Sequence, residues 1–575
     1  MSEKIKVDGS IAINLPNVVM HLDLKGFPPK ISYLKSLLTK LQELGVTGFL
    51  IEYEDMFPYE GRLLQKFLKT VASLGFDIIP LVQTFGHMEH VLKLKEFAHL
   101  RELSLHSNVI CPSKPESRML IRNMLEQVIK FHQNIFPLKY FHIGSDEVYH
   151  INKCRQCLQR NLTKSKMFLD HVKATADFVK KISPKTTVLM WDDMLRNFSI
   201  DEWKDVKNLS VDPVYWSYGS KEKISHIAMY QYHKKFENIW IASAFKGADG
   251  STATLPDLKE RLLNHLSWMV LIQNYKFGGE QNNYSFKGII LTGWSRYSHT
   301  SPPCELLPVS IPSLFLNLLL IKKFKDGYSL IESNDLSDFY NRNMINDISR
   351  QLRCSKLLDI KDPEVEKCNF DGNDLYKTIA HCDEVTEDIA TSIEAIIKNY
   401  TDFEYIDQNI KWYNKHLNDL FLLEKRMMKK LSAYYDRNYV TEFSLHLRLH
   451  HLPSGEIDCL IGLLVSMFNW RLRGPGFESQ FINKGLRLYI FDQKRCYQCH
   501  GPSRWRRAAA CRKHVVVTKA REHKRLDSRS ITTPVLPRQH GGHTSTESMA
   551  SSMRLRNYTR ESQQQNKVVW YECVL

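Results

Sequence analysis

Between residues 15 and 320 the chain alternates short apolar, β-branched runs with longer stretches whose apolar residues recur at helical spacing. Eight runs read as strands: 18–24, 47–53, 76–84, 140–143, 187–191, 210–216, 238–244 and 288–294. Amphipathic stretches such as 31–44, 117–133 and 166–181 read as the helices between them. Strand–helix alternation of this kind predicts a parallel sheet, and eight units over about 300 residues predict a closed (β/α)8 TIM barrel. An open doubly wound sheet is the rival. It is disfavoured because no glycine-rich phosphate fingerprint follows the first strand. The ends of the strands read HLDLKG, EYED, QTFGHMEH, HIGSDEVYH, WDDM, YWSYG, AFKGADG and GWSRY. In a barrel these polar and aromatic ends converge on the face that carries active sites.

The periodicity then changes. Residues 321–470 read as a mostly helical accessory region, with Leu417, Leu420, Leu423 and Met427 at helical spacing. Packing on the barrel is a better account of this region than a binding role. From residue 471 the sequence is turn-rich and basic and lacks sustained periodicity, which predicts a disordered tail. The organisation expected is therefore a catalytic barrel over 1–320, helices over 321–470 and a tail over 471–575, the last consistent with an alternative transcript ending.

Charge sharpens the division. Of 79 Lys/Arg and 63 Asp/Glu in the chain, residues 471–575 hold 21 and 7, leaving 58 and 56 for the rest. The body is thus nearly neutral, and the overall basicity is not that of a nucleic-acid enzyme. No run of about 18 apolar residues predicts a membrane span, and the N-terminus lacks the apolar core of a secretory signal. Twelve cysteines scattered through 575 residues are expected to be reduced thiols in the cytosol or nucleus.

The chemistry concentrates at Asp146 and Glu147, which follow an apolar strand and a glycine in HIGSDE. A lone acidic pair is usually a solvated surface; at a barrel strand end both side chains can face the mouth. Glycosidic cleavage needs a proton donor for the leaving oxygen and stabilisation of an oxocarbenium-like centre. An aromatic setting raises a carboxyl pKa and keeps such a donor protonated near neutrality. Trp191, Tyr215, Trp216, Tyr218, Trp294 and Tyr297 supply aromatic faces for sugar stacking, although any one of them is open to a core-packing reading.

With QTFGHMEH, HIGSDE, WDDM, AFKGA and GWSRY…CELLP in order, residues 15–470 resemble glycoside hydrolase family 20, the β-N-acetylhexosaminidases, and in particular their nucleocytoplasmic branch. The resemblance implies a retaining, exo-acting hydrolase of terminal β-linked GalNAc and GlcNAc that needs no cofactor. Its partners would be N-acetylhexosamine-terminated glycoconjugates, with a homodimer left open and neither specific nucleic acid nor membrane involved. In the implied mechanism the substrate's 2-acetamido oxygen is the nucleophile, Glu147 is the general acid/base, and Asp146 orients the acetamide. The resemblance also places His87, His142, Trp191, Asp192, Tyr215 (in preference to Tyr218), Trp216 and Trp294 around the sugar. Glu305 is placed at a distal hydroxyl. The family's first-strand arginine is missing; Asp23 and Lys25 stand there instead.

Other clusters are weaker. Glu52, Glu54 and Asp55 suit a ligand or a loop anchor. Without HExxH or close histidine spacing, no metal is expected. Cys154 and Cys157 form a single CxxC, read as local structure, and Cys496–His500 reads as a chance haem string. A sugar-binding barrel that has lost catalysis is the alternative function. It would not need both acids.

Overall fold

A computed structural model describes residues 12–54, 62–220, 225–277, 286–328, 336–398 and 403–451. Asp55, the side chain of Leu417, residues 452–470 and the tail with its Cys496–His500 string lie outside the described residues. The described residues belong to one compact unit, Met1–Leu460.

The eight predicted strands all form. They are β1 (Asn17–Asp23), β2 (Gly48–Glu52), β3 (Asp77–Leu81), β4 (Tyr140–His142), β5 (Thr187–Trp191), β6 (Asp212–Trp216), β7 (Ile239–Lys246) and β8 (Phe286–Gly293). They pair in parallel and in chain order, and β8 closes on β1 with Asn17 opposite Gly288. The chain is thus a TIM barrel, as the strand pattern predicts.

Alternation within the strands divides the side chains into two layers. Val19, Leu50, Ile79, Leu81, Leu189, Trp191, Val214, Trp240, Ala242 and Ile290 fill the barrel interior. Their neighbours, such as Val18, Met20, Phe49 and Tyr215, face the helices. Those helices include Ile31–Glu43, Pro115–Gln133 and Lys164–Ile182, close to the predicted stretches.

Three expectations are corrected. The helix Ile311–Lys325 runs through the boundary expected at 320, because its apolar residues close the barrel's outer layer. The window Leu307–Lys325 is long and apolar enough for a membrane span, but it is 89% buried in the fold. Cys354 and Cys368 form a disulfide, unlike the reduced thiols expected. The segment between them folds back, with Ser355 N–H donating to Lys367 O and Asn369 N–H to Leu352 O, which brings the two sulfurs together.

Sequence patterning also missed a two-stranded antiparallel hairpin between β3 and β4, Arg101–Leu103 with His106–Ile110. Beyond the barrel, the helices Asn373–Lys398, Phe403–Tyr434 and Arg437–His451 follow the helical expectation. Met427, Leu431, Tyr435 and Phe443 pack with Phe27, Leu306 and Val309 at the edge of the barrel mouth, and Lys30 N–H donates to Tyr434 O. This is a packing role for the helical region.

Candidate active site

The acid pair lies in the loop that leaves β4, in a backbone under strain. Glu54, His87, Ser145, Glu147 and Glu305 all have positive φ, between 34° and 72°, and all lie beyond strand ends. Such conformations cost on the order of 1–3 kcal/mol each and persist only where the surroundings impose them. Here they are imposed by close packing. A Cβ on Gly144 would meet Gln83 Oε1 at 1.9 Å, and one on Gly86 would meet Asp146 O at 2.0 Å.

His87 joins the two acids. Its Nε2 lies 3.3 Å from Asp146 Oδ2 and 3.3 Å from Glu147 Oε2. Asp146 also accepts from Gln83 Nε2 at 3.0 Å, and Gln83 Oε1 accepts Ser145 N–H at 3.2 Å. Burial opposes ionisation of Asp146, but the charge and hydrogen bond of His87 prevail and hold its carboxyl below the usual aspartate value. His87 shows the converse: burial opposes its protonation, yet Asp146 and Glu147 hold its imidazole well above the ordinary value. The pair is therefore carboxylate and imidazolium at neutral pH. Glu147 stands apart, since its side chain is 42% exposed at the mouth against 9% for Asp146.

Glu147 is fixed from behind by Asp193, whose Oδ2 accepts the Glu147 N–H at 2.9 Å and whose Oδ1 faces Trp216 Nε1 at 3.4 Å. Burial and the neighbouring Asp146 charge raise the Asp193 carboxyl to about 7. On the far side, Trp191 and Trp294 meet at 5.8 Å between ring centroids, and Trp216 stacks on Tyr218 at 5.2 Å. The Tyr218 hydroxyl hydrogen-bonds with Thr292 and Trp294, and burial raises its pKa. Trp191, Trp216 and Trp294 belong to the interior cluster.

Three predicted residues are elsewhere than expected. Tyr215 faces the outer layer: its ring lies under Arg196 at 4.0 Å, and its hydroxyl accepts Ser225 N–H. The alternation that sends Val214 and Trp216 inward sends Tyr215 outward and returns to the inside at Tyr218. Asp192 is fully buried, with its oxygens accepting from Arg196, Tyr232 and Trp216 N–H, so it clamps the loop; the mouth-facing member of the pair is Asp193. Glu305 is 1% exposed, and both its oxygens accept backbone N–H groups, from Gly247 at 2.7 Å and Asp249 at 3.1 Å. It holds the loop after β7, and burial first, then Asp249, raises its carboxyl to about 7.

His142 is buried in the interior. It accepts Gly144 N–H at 3.0 Å, its ring lies 4.4 Å from Trp191, and burial lowers it to about 3, so it is neutral. It supports the turn into the acid pair without bonding Asp146. The first-strand end is likewise closed. Lys25 is buried between Glu54 at 3.4 Å and Asp23 at 4.0 Å, and Glu52 accepts from His21 at 3.1 Å. His299 reaches Glu54 Oε2 at 2.5 Å. These acids anchor loops.

Residues 59–233 match the model of the glycosyl hydrolase family 20 catalytic domain, a span that includes the acid pair, His87 and Asp193. Hexosaminidase D of Bos taurus is 42% identical over 318 residues, which is 52% of this chain and 89% of that protein. Hexosaminidase D of Homo sapiens is 42% identical over 325 residues, 53% of this chain and 65% of that protein. A solved β-N-acetylhexosaminidase from Bacteroides fragilis aligns over 57% of this chain and 69% of its own, at 15% identity and a TM-score of 0.40. With most of the bovine protein matched at this identity, the chain belongs to glycosyl hydrolase family 20, the β-N-acetylhexosaminidases.

Proposed function

We propose that the chain is a retaining exo-hydrolase of terminal β-linked GalNAc and GlcNAc that uses the substrate's acetamide as nucleophile. The observation that carries this reading is the unequal setting of two adjacent acids bridged by one imidazolium. A buried carboxylate held ionised by His87 is suited to accept an acetamide N–H and to stabilise the positive charge that grows as the acetamide oxygen attacks the anomeric carbon. A carboxyl exposed at the mouth is suited to protonate the leaving oxygen and then to take a proton from water. In the first step the C1–O bond breaks as the C1–acetamide oxygen bond forms, and Glu147 gives up its proton. In the second, water opens the cyclic intermediate and Glu147 is reprotonated.

Trp216 and Trp294, both part-exposed, supply faces for the sugar ring in this reading, Trp191 packs fully buried beneath them, and the Tyr218 hydroxyl, in place of Tyr215, is the donor to the acetamide oxygen. The substrates in this reading are glycoconjugates ending in N-acetylhexosamine, of either epimer.

The test is hydrolysis of p-nitrophenyl β-GalNAc and β-GlcNAc. Glu147→Gln should lose at least ~10²-fold in kcat, the lower end for a general acid. Asp146→Asn should lose activity on acetamido sugars specifically. Equal activity in wild type and both variants would overturn the roles given to the two acids. Inversion at the anomeric carbon, seen by NMR, would overturn acetamide participation alone.

A further inference from the structure

We propose that the protein carries a structural zinc site beside the active site, built from the thiolates of Cys111, Cys154 and Cys157 and the carboxylate of Glu102. In sequence only the CxxC pair is visible, and alone it signals little. The fold brings two further ligands to it. Cys111 Sγ lies 3.2 Å from Cys154 Sγ and 3.5 Å from Cys157 Sγ, and Glu102 Oε2 lies 3.2 Å from Cys157 Sγ. All four donor atoms fall within 4.8 Å of one another.

The spacing fits a metal better than the bland alternatives. A disulfide would bring two sulfurs to about 2.0 Å, and none of the three is bonded to another. Tetrahedral zinc with Zn–S of about 2.3 Å sets its sulfurs about 3.8 Å apart. Spreading the observed cluster by a few tenths of an ångström makes that room. A purely apolar thiol cluster would not need a carboxylate. Here Glu102 is 2% exposed and turned into the sulfurs. Its other oxygen, Oε1, accepts the N–H groups of Lys153 and Cys154 at 2.5 and 2.8 Å, so Oε2 is the one presented to the cluster.

The surroundings also resemble the outer hydrogen bonds that orient metal ligands. Cys154 Sγ accepts Cys157 N–H at 3.4 Å, and Ser113 Oγ lies 3.1 Å from Cys157 Sγ. Three soft thiolates with one carboxylate suit Zn²⁺. Four protein ligands leave no open position, which makes the site structural. Binding converts the cysteines to thiolates and releases their protons to solvent.

Its placement gives it a task. Glu102 lies on the first strand of the hairpin that follows β3 and Cys111 directly follows its second strand, while Cys154 caps and Cys157 lies within the short helix Arg155–Gln159 that follows the loop leaving β4. The hairpin holds the His87 loop, through Met88 N–H to Asn108 O and Ile110 N–H to Phe85 O. The ion would therefore tie the loop carrying His87 to the loop carrying Asp146 and Glu147.

The experiment uses the full-length chain purified without chelator. Elemental analysis should find one zinc per chain, absent from the Cys154→Ser, Cys157→Ser double variant. Chelator should lower the thermal midpoint of the wild type. Because loss of zinc from a variant can follow misfolding, the chelated wild type is also titrated with Co²⁺. Thiolate-to-cobalt charge transfer and tetrahedral d–d bands are expected, and Glu102→Gln should keep the charge transfer while altering the d–d bands. A folded wild type with neither bound zinc nor cobalt–thiolate bands would overturn the site. So would a disulfide among these three cysteines in the freshly purified protein. Cobalt bands unchanged by Glu102→Gln would overturn the four-ligand set. None of these readouts depends on glycosidase activity.

Discussion

Asp193 is the residue whose removal most directly tests how the loop carrying Glu147 is held. It touches Glu147 only through the backbone, at 2.9 Å, and it is 5% exposed. Removing its side chain in Asp193→Ala leaves a buried N–H without its acceptor, at a cost of about 1–3 kcal/mol. Glu147 has φ 50°, so the lost bond also releases a restraint on a conformation the residue would not choose alone. If that cost falls on the reactive geometry, it converts to roughly a 5- to 150-fold loss in kcat.

Asp193→Asn should be milder. Its one amide oxygen can still accept from Glu147, and the NH2 group then replaces the acceptor at the longer 3.4 Å contact with Trp216. The loss should stay within about tenfold. Steady-state kinetics on both p-nitrophenyl substrates, with near-UV circular dichroism to confirm packing, separate the variants. Most of the effect should appear in kcat, since Asp193 positions the acid. Wild-type kcat in a folded Asp193→Ala, or a more active Ala than Asn variant, would refute the role.

The substitution also has a pH signature. Asp193 is raised to about 7 in the folded protein from an unfolded value near ~4. Its contribution to stability is full below the unfolded value and is lost as pH rises through the folded one. Asp193→Asn should flatten that decline between about pH 4 and 7, measured as thermal midpoint against pH.

Three further variants test the neighbouring contacts. His87→Ala removes the main partner that keeps Asp146 ionised against burial, so Asp146 should titrate higher and the acid limb of kcat/KM should move to higher pH. The Asp146 share of stability, present above the unfolded value and lost as pH falls through the depressed folded one, should disappear; pH profiles and thermal melts check both. Tyr218→Phe should cost about tenfold or more in kcat/KM on acetamido sugars. Tyr215→Phe should cost only stability, about 1 kcal/mol for its bond from Ser225 N–H, and the two variants exchange places if the inward direction of Tyr218 is wrong.

The barrel was legible because each strand buries both faces and each helix buries one stripe, and the two periodicities differ along the chain. The hairpin at 101–110 was not legible. RELSLHSNVI has no clean alternation, and the segment is held by bonds to the Phe85 and Met88 backbone, which belong to another loop. The acid pair was legible from its glycine and its place after an apolar strand. Asp192, Tyr215 and Glu305, which the resemblance places at the sugar, depend on side-chain direction, and that is fixed by the strand and loop contacts and not by residue type. The alternation that runs through Trp191, Val214 and Trp216 persists past the last ladder residue. Carried onward, it places Asp193 and Tyr218 at the mouth. Gln83, two residues beyond inward-facing Leu81, was available by the same count.

The strained residues explain why so much of the site lies just beyond what periodicity can reach. A ladder fixes φ and ψ by its own hydrogen bonds; past its end, side chains must do so. Gln83 takes the N–H of Ser145, Asp193 that of Glu147, and Glu305 those of Gly247 and Asp249. Each is a polar group spent on another loop's backbone. Each makes sense only when strands far apart in sequence are neighbours. Asp146 and His87 are 59 positions apart in sequence, yet Asp146 Oδ2 lies 3.3 Å from His87 Nε2, and the imidazole is the main partner that holds the Asp146 carboxyl down against burial. A site with that dependence needs its loops tied together, and the thiol–carboxylate cluster lies where the His87 loop and the Glu147 loop leave it. A shift of the His87-dependent acid limb to higher pH on chelation, without any change in the chain, would be the direct sign that the two are coupled.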